Sequence, residues 1–394
     1  MEVAGKVFLR RGAHHRVESG HPWIYKTEID HEEGTIQPGN IVDVFNFRLK
    51  FIGRGYWNPR SQITVRLLTR QSTEAIDRDF FRRRIQAAWD YRQKFIIEPE
   101  FCRLIFGEAD FLPGLIVDKF GALLVIQTLT LGIDVHKETI VSLLDEMFQP
   151  DGIFERNDVP VREIEGLKQQ KGFLKGKCPT IIAVQENGFS FNADIENGQK
   201  TGFFYDQREN RAFLKPIMSG AEVLDCFCHT GSFAVHAAKY GARSVTAIDI
   251  SAQAIALAVQ NAKLNGVEGI CQFETANAFN ILRTWSDQGR LFDVVILDPP
   301  AFTKSKASLE GAARGYKEIN LRGLKMVRPG GFLVTCSCSY HMDRDLFRAI
   351  VNDAAQDVNR QIRQVEYRTQ GKDHPILPAS PETEYLKFLV VQVF

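Results

Sequence analysis

The feature that most constrains the fold is a regular alternation of two hydrophobic periodicities from about residue 210 onward. Short apolar runs of strand type alternate with segments whose apolar residues recur every three to four positions, as in amphipathic helices. The predicted strands are AEVLDCF, SVTAIDI, CQFETAN, FDVVILD, GFLVTCSC, IRQVEYR and YLKFLVVQVF. Because a helix separates each of the first six, the pattern predicts an α/β fold with a doubly wound, mostly parallel seven-stranded sheet, closed by an antiparallel pair of the last two strands.

The first half of the chain follows other patterns. Between residues 41 and 69, short β-type runs alternate with turn residues, which is typical of a small β-barrel. Residues 77–95 carry apolar side chains at helical spacing, and the segment FSFNADIENGQKTGFF predicts a hairpin that turns at Asn197-Gly198. Three domains are therefore predicted: a β-barrel over residues 1–73, a central α/β domain over 74–190 and a Rossmann-like domain over 191–394.

Acidic side chains stand at the ends of three predicted strands of the last domain. The first strand ends in Asp225-Cys-Phe-Cys-His-Thr-Gly231, the second ends at Asp249, 24 residues after Asp225, and the fourth runs into Asp298-Pro-Pro-Ala-Phe302. Ligands of doubly wound sheets bind outside the carboxyl ends of the strands, where a carboxylate can accept hydrogen bonds from ribose hydroxyls. The first turn has the single glycine Gly231, not the G-x-G-x-x-G that admits a pyrophosphate. The pattern therefore favours a cofactor with an adenosine group and without phosphates.

Two cysteines lie near the same edge. The fifth predicted strand ends in Thr335-Cys336-Ser337-Cys338-Ser339, and its alternation puts both thiols on one face, with Cys338 nearer the carboxyl end. A thiol at this position indicates covalent catalysis. Carbon 5 of cytosine is too weak a nucleophile to take a methyl group directly, whereas thiolate addition at carbon 6 makes carbon 5 enamine-like. Cys336 remains a rival nucleophile at this point.

Several motifs occur in an order that resembles one enzyme family. They are Gly20-His-Pro-Trp-Ile-Tyr25, Gly107-Glu-x-Asp-x-Leu-Pro-Gly114, Gly198-x-Lys-Thr-Gly202, Asp206-Gln-Arg-x-x-Arg211, Asp225 to Gly231, Asp298-Pro-Pro and Ser337-Cys-Ser339. Over nearly the whole chain they resemble the bacterial and archaeal large-subunit (23S) ribosomal RNA cytosine-5 methyltransferases that carry an N-terminal PUA domain. The Asp298-Pro-Pro segment also resembles the [DNS]-P-P-[YF] tetrapeptide of class I methyltransferases, lengthened by one residue.

The resemblance implies a PUA barrel, a central α/β domain and a class I methyltransferase domain that uses S-adenosylmethionine to form 5-methylcytosine in 23S ribosomal RNA. It also implies that Cys338 is the nucleophile and that Asp298 contacts the target base, on which an aromatic side chain stacks. The implied cofactor-binding residues are Asp206, Gln207, Arg208, Asp225, Phe227, Thr230, Gly231, Asp249, Ile250, Asn277 and Asp298. The chain departs from the pattern at Pro300, where other cytosine-5 RNA methyltransferases have a second cysteine. It also departs at Asn277, where Asp is frequent and the Asn carbonyl would accept from the adenine amino group.

Composition and charge add expectations about location and partners. No run approaches roughly 18 apolar residues and the N-terminus lacks the apolar core of a signal peptide, so we expect a cytoplasmic protein with reduced cysteines and no membrane association. Residues 1–70 hold eleven Lys and Arg against seven Asp and Glu, and residues 303–328 hold seven against two. Such surpluses fit either contact with RNA phosphates or a solvated charged face. Cys-x-x-Cys spacing is absent, so no metal is expected.

Two other functions remain open from the sequence. Guanine-N7 methylation of the same RNA by a related fold needs no cysteine, because that nitrogen is already nucleophilic. The second function is that of a non-catalytic, RNA-binding ribosome assembly factor whose methyltransferase domain is vestigial. Against it stand four intact residues of the predicted site: Asp225, Gly231, Asp249 and Asp298. The expected partner is 23S ribosomal RNA, either naked or in an assembly intermediate, and a homodimer is left open.

Overall fold

The computed structural model describes residues 3–303 and 306–394, which form two compact units. The strands are β1 (Gly5–Leu9), β2 (Trp23–Tyr25), β3 (Ile29–Gly34), β4 (Ile41–Phe45), β5 (Phe51–Trp57), β6 (Ile63–Thr69), β7 (Phe101–Phe106), β8 (Leu115–Phe120), β9 (Leu123–Thr128), β10 (Gly152–Asn157), β11 (Gln170–Gly176), β12 (Ile181–Glu186), β13 (Phe189–Asp194), β14 (Glu222–Cys226), β15 (Ser244–Asp249), β16 (Cys271–Thr275), β17 (Phe292–Leu297), β18 (Val327–Ser337), β19 (Ile362–Arg368) and β20 (Lys387–Val393). The helices are α1 (His14–Glu18), α2 (Arg78–Phe95), α3 (Leu131–Val135), α4 (Lys137–Phe148), α5 (Val161–Ile164), α6 (Arg208–Phe213), α7 (Ser232–Lys239), α8 (Ala252–Leu264), α9 (Ala278–Asp287), α10 (Leu309–Met326) and α11 (Arg344–Asp357).

The first unit comprises residues 3–182, 194–205 and 372–383. Its N-terminal part is a six-stranded sheet in the order β2-β6-β5-β4-β1-β3, in which β1 and β4 are parallel and the other pairs are antiparallel. The β-type runs predicted between residues 41 and 69 correspond to β4, β5 and β6. The sequence pattern therefore located these strands correctly.

One tyrosine ties this sheet to the central part of the same unit. Tyr56 in β5 is 1% exposed, and its hydroxyl donates to the carbonyl of Pro113 and lies 2.8 Å from the hydroxyl of Thr130. Gly132 in α3 makes room for the ring, because a β-carbon there would lie 1.9 Å from it. The N-terminal sheet and the central sheet thus share a hydrophobic core. Deleting residues 1–70 would expose that core.

The central sheet has the strand order β11-β10-β9-β8-β7. Helix α2 packs its apolar side chains into the core beneath this sheet. Asp77 caps the N-terminus of α2, because its carboxylate accepts a hydrogen bond from the amide of Phe80 at 2.9 Å. The helix predicted over residues 77–95 is thereby confirmed.

The predicted hairpin turn at Asn197-Gly198 is wrong. The hairpin consists of β12 and β13 and turns at Asn187-Gly188, where both residues have the positive φ that a two-residue turn needs. Asn197 instead lies in a loop, in which the carboxylate of Asp194 accepts hydrogen bonds from the following backbone amides. These local bonds turn the chain after β13, so the stretch around Asn197 forms a loop and not a second hairpin.

The second unit comprises residues 183–193, 206–371 and 384–394 within the described ranges. Its seven-stranded sheet has the order β16-β15-β14-β17-β18-β20-β19. The strands β14 to β18 are parallel to one another, whereas β20 runs antiparallel between β18 and β19. The doubly wound, mostly parallel sheet and its closing antiparallel pair are confirmed. Of the helices in the described part of the chain, none combines the length and apolar character needed to cross a membrane.

Candidate active site

Three carboxylates lie at the carboxyl ends of neighbouring strands, at one edge of the seven-stranded sheet. β14 lies between β15 and β17, so the strand order reverses at this point, where doubly wound sheets bind ligands. Asp225 is the penultimate residue of β14, Asp249 ends β15 and Asp298 directly follows β17. The charges of Asp298 and Asp249 both act on Asp225. The structure therefore brings together the three acids predicted from the strand ends.

Asp225 is the most unusual of these acids. Its side chain is fully buried, and neither carboxylate oxygen has a hydrogen-bond partner of normal geometry among the described residues. Burial, and then the charge of Asp298, raise the pKa of Asp225 well above its ordinary value, while the amide of Ala234 and the guanidinium of Arg211 only partly oppose this. A cationic ligand group beside Asp225 would compensate a buried negative charge.

The turn after β14 has an unusual backbone. Phe227, His229 and Gly231 all have positive φ, at 65°, 49° and 78°, a region that is costly for residues with a β-carbon. Gly231 caps α7, and a β-carbon there would lie 2.9 Å from that of Ala258 in α8. Its missing side chain therefore makes room for a neighbouring helix. The hydroxyl oxygen of Thr230 is buried with no hydrogen-bond partner in the described ranges.

Asp249 is held in one orientation by the backbone. One carboxylate oxygen accepts from the amide of His229 and the other from the amide of Ser251, both at 2.9 Å. The side chain is half-buried, and each oxygen keeps a second lone pair for another donor. The adjacent Ile250 is 70% exposed, so its side chain offers apolar surface at the same edge.

Asn277 caps the helix that follows β16. Its side-chain oxygen accepts from the amides of Phe279 at 3.0 Å and Asn280 at 3.4 Å. This oxygen, which the sequence analysis assigned to an adenine amino group, is thus already engaged, and the side-chain NH2 of Asn277 is the group left to meet a ligand. Phe279, 36% exposed, packs edge-on against Phe227, with 5.8 Å between ring centroids.

Gln207 links the Asp206-Gln-Arg motif to Asp298. Its Nε2 donates to a carboxylate oxygen of Asp298 at 3.1 Å, and its Oε1 accepts from Asn210 at 2.7 Å. Asp206, in the preceding turn, accepts a 2.6 Å hydrogen bond from the hydroxyl of Tyr385. Both predicted residues are buried. Gln207 therefore fixes the orientation of the Asp298 carboxylate.

The two arginines of the same motif lie around a buried glutamate. Arg211 forms a bidentate ion pair with Glu186, with distances of 2.6 and 2.7 Å, and both side chains are buried. The Nε atom of Arg208 is 3.8 Å from the same carboxylate. Arg208, predicted to bind cofactor, thus has a structural ion pair, and cofactor binding by it stays a prediction.

The two cysteines of the fifth strand differ in burial. Cys336 is fully buried, and burial followed by the charge of Asp298 raises its pKa well above the ordinary value. Cys338 follows the last residue of β18 and is half-buried, with its Sγ 3.9 Å from the carbonyl oxygen of Pro299. The Cys338 thiol therefore lies beside the Asp298-Pro-Pro segment and is the more accessible of the two.

Phe302, the aromatic residue of the Asp298 segment, packs into the unit. Its ring centroid is 4.5 Å from that of Tyr316 in α10, and a β-carbon at Gly315 would lie 3.1 Å from the ring. Its ring centroid also lies 5.6 Å from that of Phe279. In this position one side of Phe302 packs on α10. The following residues 304 and 305, part of the basic stretch 303–328, lie outside the described residues.

Comparisons with known proteins agree with this geometry. The profile of PUA-like domains matches residues 7–70, and that of S-adenosylmethionine-dependent methyltransferases matches residues 169–380. The ribosomal RNA large subunit methyltransferase I of Shewanella denitrificans is 42% identical over 397 residues, with 100% of both chains covered. The chain belongs to the S-adenosylmethionine-dependent methyltransferases. A putative S-adenosylmethionine-dependent methyltransferase from Streptococcus mutans has the same fold, with a TM-score of 0.84, 19% identity and coverage of 98% of this chain and 99% of that chain. Another putative methyltransferase, complexed with SAH, has a TM-score of 0.85 at 19% identity, with the same coverage.

The cofactor of this methyltransferase is S-adenosylmethionine, and the site fits its chemistry. The cofactor carries a sulfonium and an ammonium group, and the buried Asp225 lacks a compensating hydrogen-bond partner among the described residues. Thr230 offers a second buried oxygen, and Asp249 offers carboxylate lone pairs at the position suited to ribose hydroxyls. A fully buried acid and a half-buried acid thus stand at the same edge of the sheet.

Sequence reasoning missed four residues of this methyltransferase site. Asn210 and Tyr385 orient Gln207 and Asp206, Glu186 anchors the motif arginines, and Lys387 lies next to the cysteine strand. Three of them come from segments distant from the motifs they support. Two of the four had a signal: Asn210 lies inside the Asp206-Gln-Arg-x-x-Arg211 motif, and Lys387 is a single lysine within the apolar run YLKFLVVQVF.

Proposed function

We propose that this methyltransferase modifies carbon 5 of a cytosine in large-subunit (23S) ribosomal RNA, through a covalent bond between Cys338 and carbon 6. The RNA substrate is supported by relatives named ribosomal RNA large subunit methyltransferase I. The observation that carries the mechanism is the half-buried Cys338 thiol beside the Asp298 segment. Guanine-N7 methylation would need no thiol there. The RNA would be naked or part of an assembly intermediate.

The residues divide the chemistry among them. The thiolate of Cys338 adds to carbon 6 of the target cytosine. A hydrogen bond from the cytosine to the Asp298 carboxylate favours proton uptake by the cytosine ring during this addition. Addition makes carbon 5 nucleophilic. S-adenosylmethionine, when bound, supplies the methyl group. A base then takes the carbon 5 proton, the carbon 5–carbon 6 double bond re-forms, and the carbon–sulfur bond breaks to regenerate the Cys338 thiolate.

The cofactor-binding roles follow from the side-chain environments. We assign the cationic part of the cofactor to Asp225, the ribose hydroxyls to Asp249 and the adenine to Asn277 through its side-chain NH2. The remaining predicted cofactor contacts stay proposals: Asp206, Gln207, Arg208, Phe227, Thr230, Gly231, Ile250 and Asp298. Gln207 acts on the target base through its hydrogen bond to Asp298.

RNA binding is best supported on the N-terminal sheet. The guanidinium of Arg48 lies 5.1 Å and that of Arg11 6.0 Å from the ring centroid of Phe47, which is 38% exposed, and the adjacent Leu49 is 71% exposed. Cations around an exposed aromatic ring suit phosphates and a stacked base. In the basic stretch 303–328, by contrast, three cations already bind acidic side chains of their own unit: Lys317, Arg322 and Arg328.

The decisive experiment uses RNA that contains 5-fluorocytosine. Fluorine at carbon 5 blocks the final elimination, so the wild-type enzyme with S-adenosylmethionine should form an RNA adduct that survives a denaturing gel. Cys338→Ala should bind cofactor normally and form neither adduct nor 5-methylcytosine. Cys336→Ala is the matched control and should keep both. An adduct that persists in Cys338→Ala and vanishes in Cys336→Ala would exchange the two assignments. Methylation without an adduct in any form of the enzyme would refute the covalent mechanism.

A further inference from the structure

A chain of hydrogen bonds between side-chain amides runs from the end of β19 to Asp298. The Nε of Arg368 donates to Oδ1 of Asn210 at 3.1 Å, and Nδ2 of Asn210 donates to the backbone carbonyl of Thr369, also at 3.1 Å. The same Nδ2 donates to Oε1 of Gln207 at 2.7 Å, and Nε2 of Gln207 donates to Asp298 at 3.1 Å. Asn210 and Gln207 are 1% and 2% exposed, so solvent has little access to these bonds.

The far end of this chain fixes the orientation of both amides. Turning a side-chain amide by 180° exchanges its donor and its acceptor. The Nε of Arg368 can only donate and the Thr369 carbonyl can only accept, so Asn210 must turn its NH2 toward Gln207. Gln207 then turns its oxygen toward Asn210 and its NH2 toward Asp298. A reversed Gln207 would set NH2 against NH2 and oxygen against oxygen, and two buried hydrogen bonds would be lost.

We infer that Asn210 is a positioning residue that fixes the NH2 of Gln207 toward Asp298 and so keeps Asp298 a hydrogen-bond acceptor that selects an amino group on the target base. The inference rests on the proposed contact of Asp298 with that base. A donor that faces a carboxylate favours its ionised form, and an ionised carboxylate can only accept. Cytosine has an amino group where uracil has a carbonyl oxygen. Uracil would therefore set oxygen against oxygen.

The substitution Asp298→Asn makes this orientation measurable, because the introduced amide has an oxygen on one side and an NH2 on the other. Since Gln207 donates, the introduced amide must turn its oxygen to Gln207 and its NH2 to the amino group of the base. Two donors then face each other. At saturating S-adenosylmethionine, kcat/KM for the RNA should fall roughly 100-fold.

Two second substitutions should recover part of this loss. Gln207→Glu replaces the NH2 with an oxygen, so the amide introduced at position 298 can donate to it and turn its own oxygen to the base. Asp298→Asn/Gln207→Glu should be roughly tenfold more active than Asp298→Asn, although Gln207→Glu alone opposes two carboxylates and should be less active than wild type. Asn210→Ala leaves the Gln207 amide able to turn, so Asp298→Asn/Asn210→Ala should also gain activity over Asp298→Asn.

The assay is the transfer of a labelled methyl group from S-adenosylmethionine to ribosomal RNA by the full chain. The melting temperature and cofactor affinity of each variant show whether it is folded. Asp298→Asn/Tyr385→Phe is the matched control. The Tyr385 hydroxyl donates to Asp206, the neighbour of Gln207, at 2.6 Å, and its loss leaves the Gln207 amide held by Asn210. This control should recover no activity.

A second measurement needs only the single variant and no turnover. Filter binding compares RNA that carries the methylated cytosine with RNA that has uridine in its place. Wild type should prefer the cytosine RNA, whereas Asp298→Asn turns an NH2 toward the uracil carbonyl, so the ratio of the two affinities should fall roughly tenfold.

Three results would each overturn the inference: an unchanged affinity ratio in Asp298→Asn, no recovery by Gln207→Glu in a folded variant, or a folded Asp298→Asn/Asn210→Ala that is less active than Asp298→Asn. The last result would leave Asn210 with a structural role only. Nucleoside analysis of the wild-type product tests the proposed function separately. If activity recovers as expected but the product is not 5-methylcytosine, the orientation of Gln207 stands and the base assignment fails. If 5-methylcytosine forms without recovery, the role of Asn210 alone fails.

Discussion

Replacing Asp225 with Asn should stabilise the protein without cofactor and at the same time weaken its binding of S-adenosylmethionine. Asp225 is fully buried, its oxygens lack normal hydrogen-bond partners in the described residues, and the charges of Asp298 and Asp249 act on it. A buried polar group without a partner costs about 1–3 kcal/mol, and a charged one costs more. Removing the charge at pH 8 should therefore raise the free energy of unfolding by about 1–3 kcal/mol. For a unit of this size, the melting temperature should rise by roughly 2–4 °C per kcal/mol.

The effect of Asp225→Asn should depend on pH in a defined direction. The pKa of Asp225 is raised in the folded chain, so the native state holds this proton more tightly than the unfolded chain does. The destabilisation is therefore absent below the ordinary aspartate pKa of 3.8 and grows as the pH rises through the raised value. The stability gain of Asp225→Asn should be largest at pH 8 and should shrink at pH 5.

Calorimetry measures both effects of this substitution. Scanning calorimetry at pH 5 and pH 8 gives the stability, and titration with S-adenosylmethionine at pH 8 gives the affinity. A hydrogen bond to a charged group contributes about 1.5–3 kcal/mol, so we expect roughly 10–100-fold weaker binding. Asp249→Asn is the matched control with the opposite sign, because Asp249 accepts two backbone amides and its loss should lower stability. A lower melting temperature of Asp225→Asn at pH 8, or unchanged affinity, would refute the reasoning.

Three further predictions concern other parts of the chain. Asn277→Ala should lower the free energy of unfolding by about 0.5–2 kcal/mol because α9 loses its cap, whereas Asn277→Asp should be close to wild type in thermal unfolding. Arg211→Leu should lower the free energy of unfolding, measured with denaturant, by about 3–5 kcal/mol because Glu186 is left buried and charged. The double variant Arg211→Leu/Glu186→Leu should recover much of this loss. Equal stability of the single and double variants would contradict the prediction. The double variant Arg11→Ala/Arg48→Ala should weaken binding to RNA of any sequence. The slope of log affinity against log salt concentration should fall by about one for each phosphate contact that is lost. An unchanged slope in filter binding would exclude this face as an RNA contact.

The sequence predicted features whose cause is local. The strands of the seven-stranded sheet and the helix α2 follow from apolar periodicity, which is contained within each segment. Asp225, Asp249 and Asp298 could be placed together because the carboxyl ends of parallel strands meet at one edge. The hairpin turn failed for the opposite reason. Asn187-Gly188 and Asn197-Gly198 are the same dipeptide, and only the strands that pair on either side decide which one is the turn.

The sequence by itself thus determined the order of the elements, the class of fold and the edge at which chemistry is expected. Tertiary structure decided the properties of the individual groups. Cys336 and Cys338 are two residues apart and alike in type, yet one is fully buried and the other half-buried. Lys387 reaches the carbonyl of Ser339 across 48 positions of chain. Burial and hydrogen-bond partners set the charge state of a side chain, and both come from segments that are distant in sequence and adjacent only after folding.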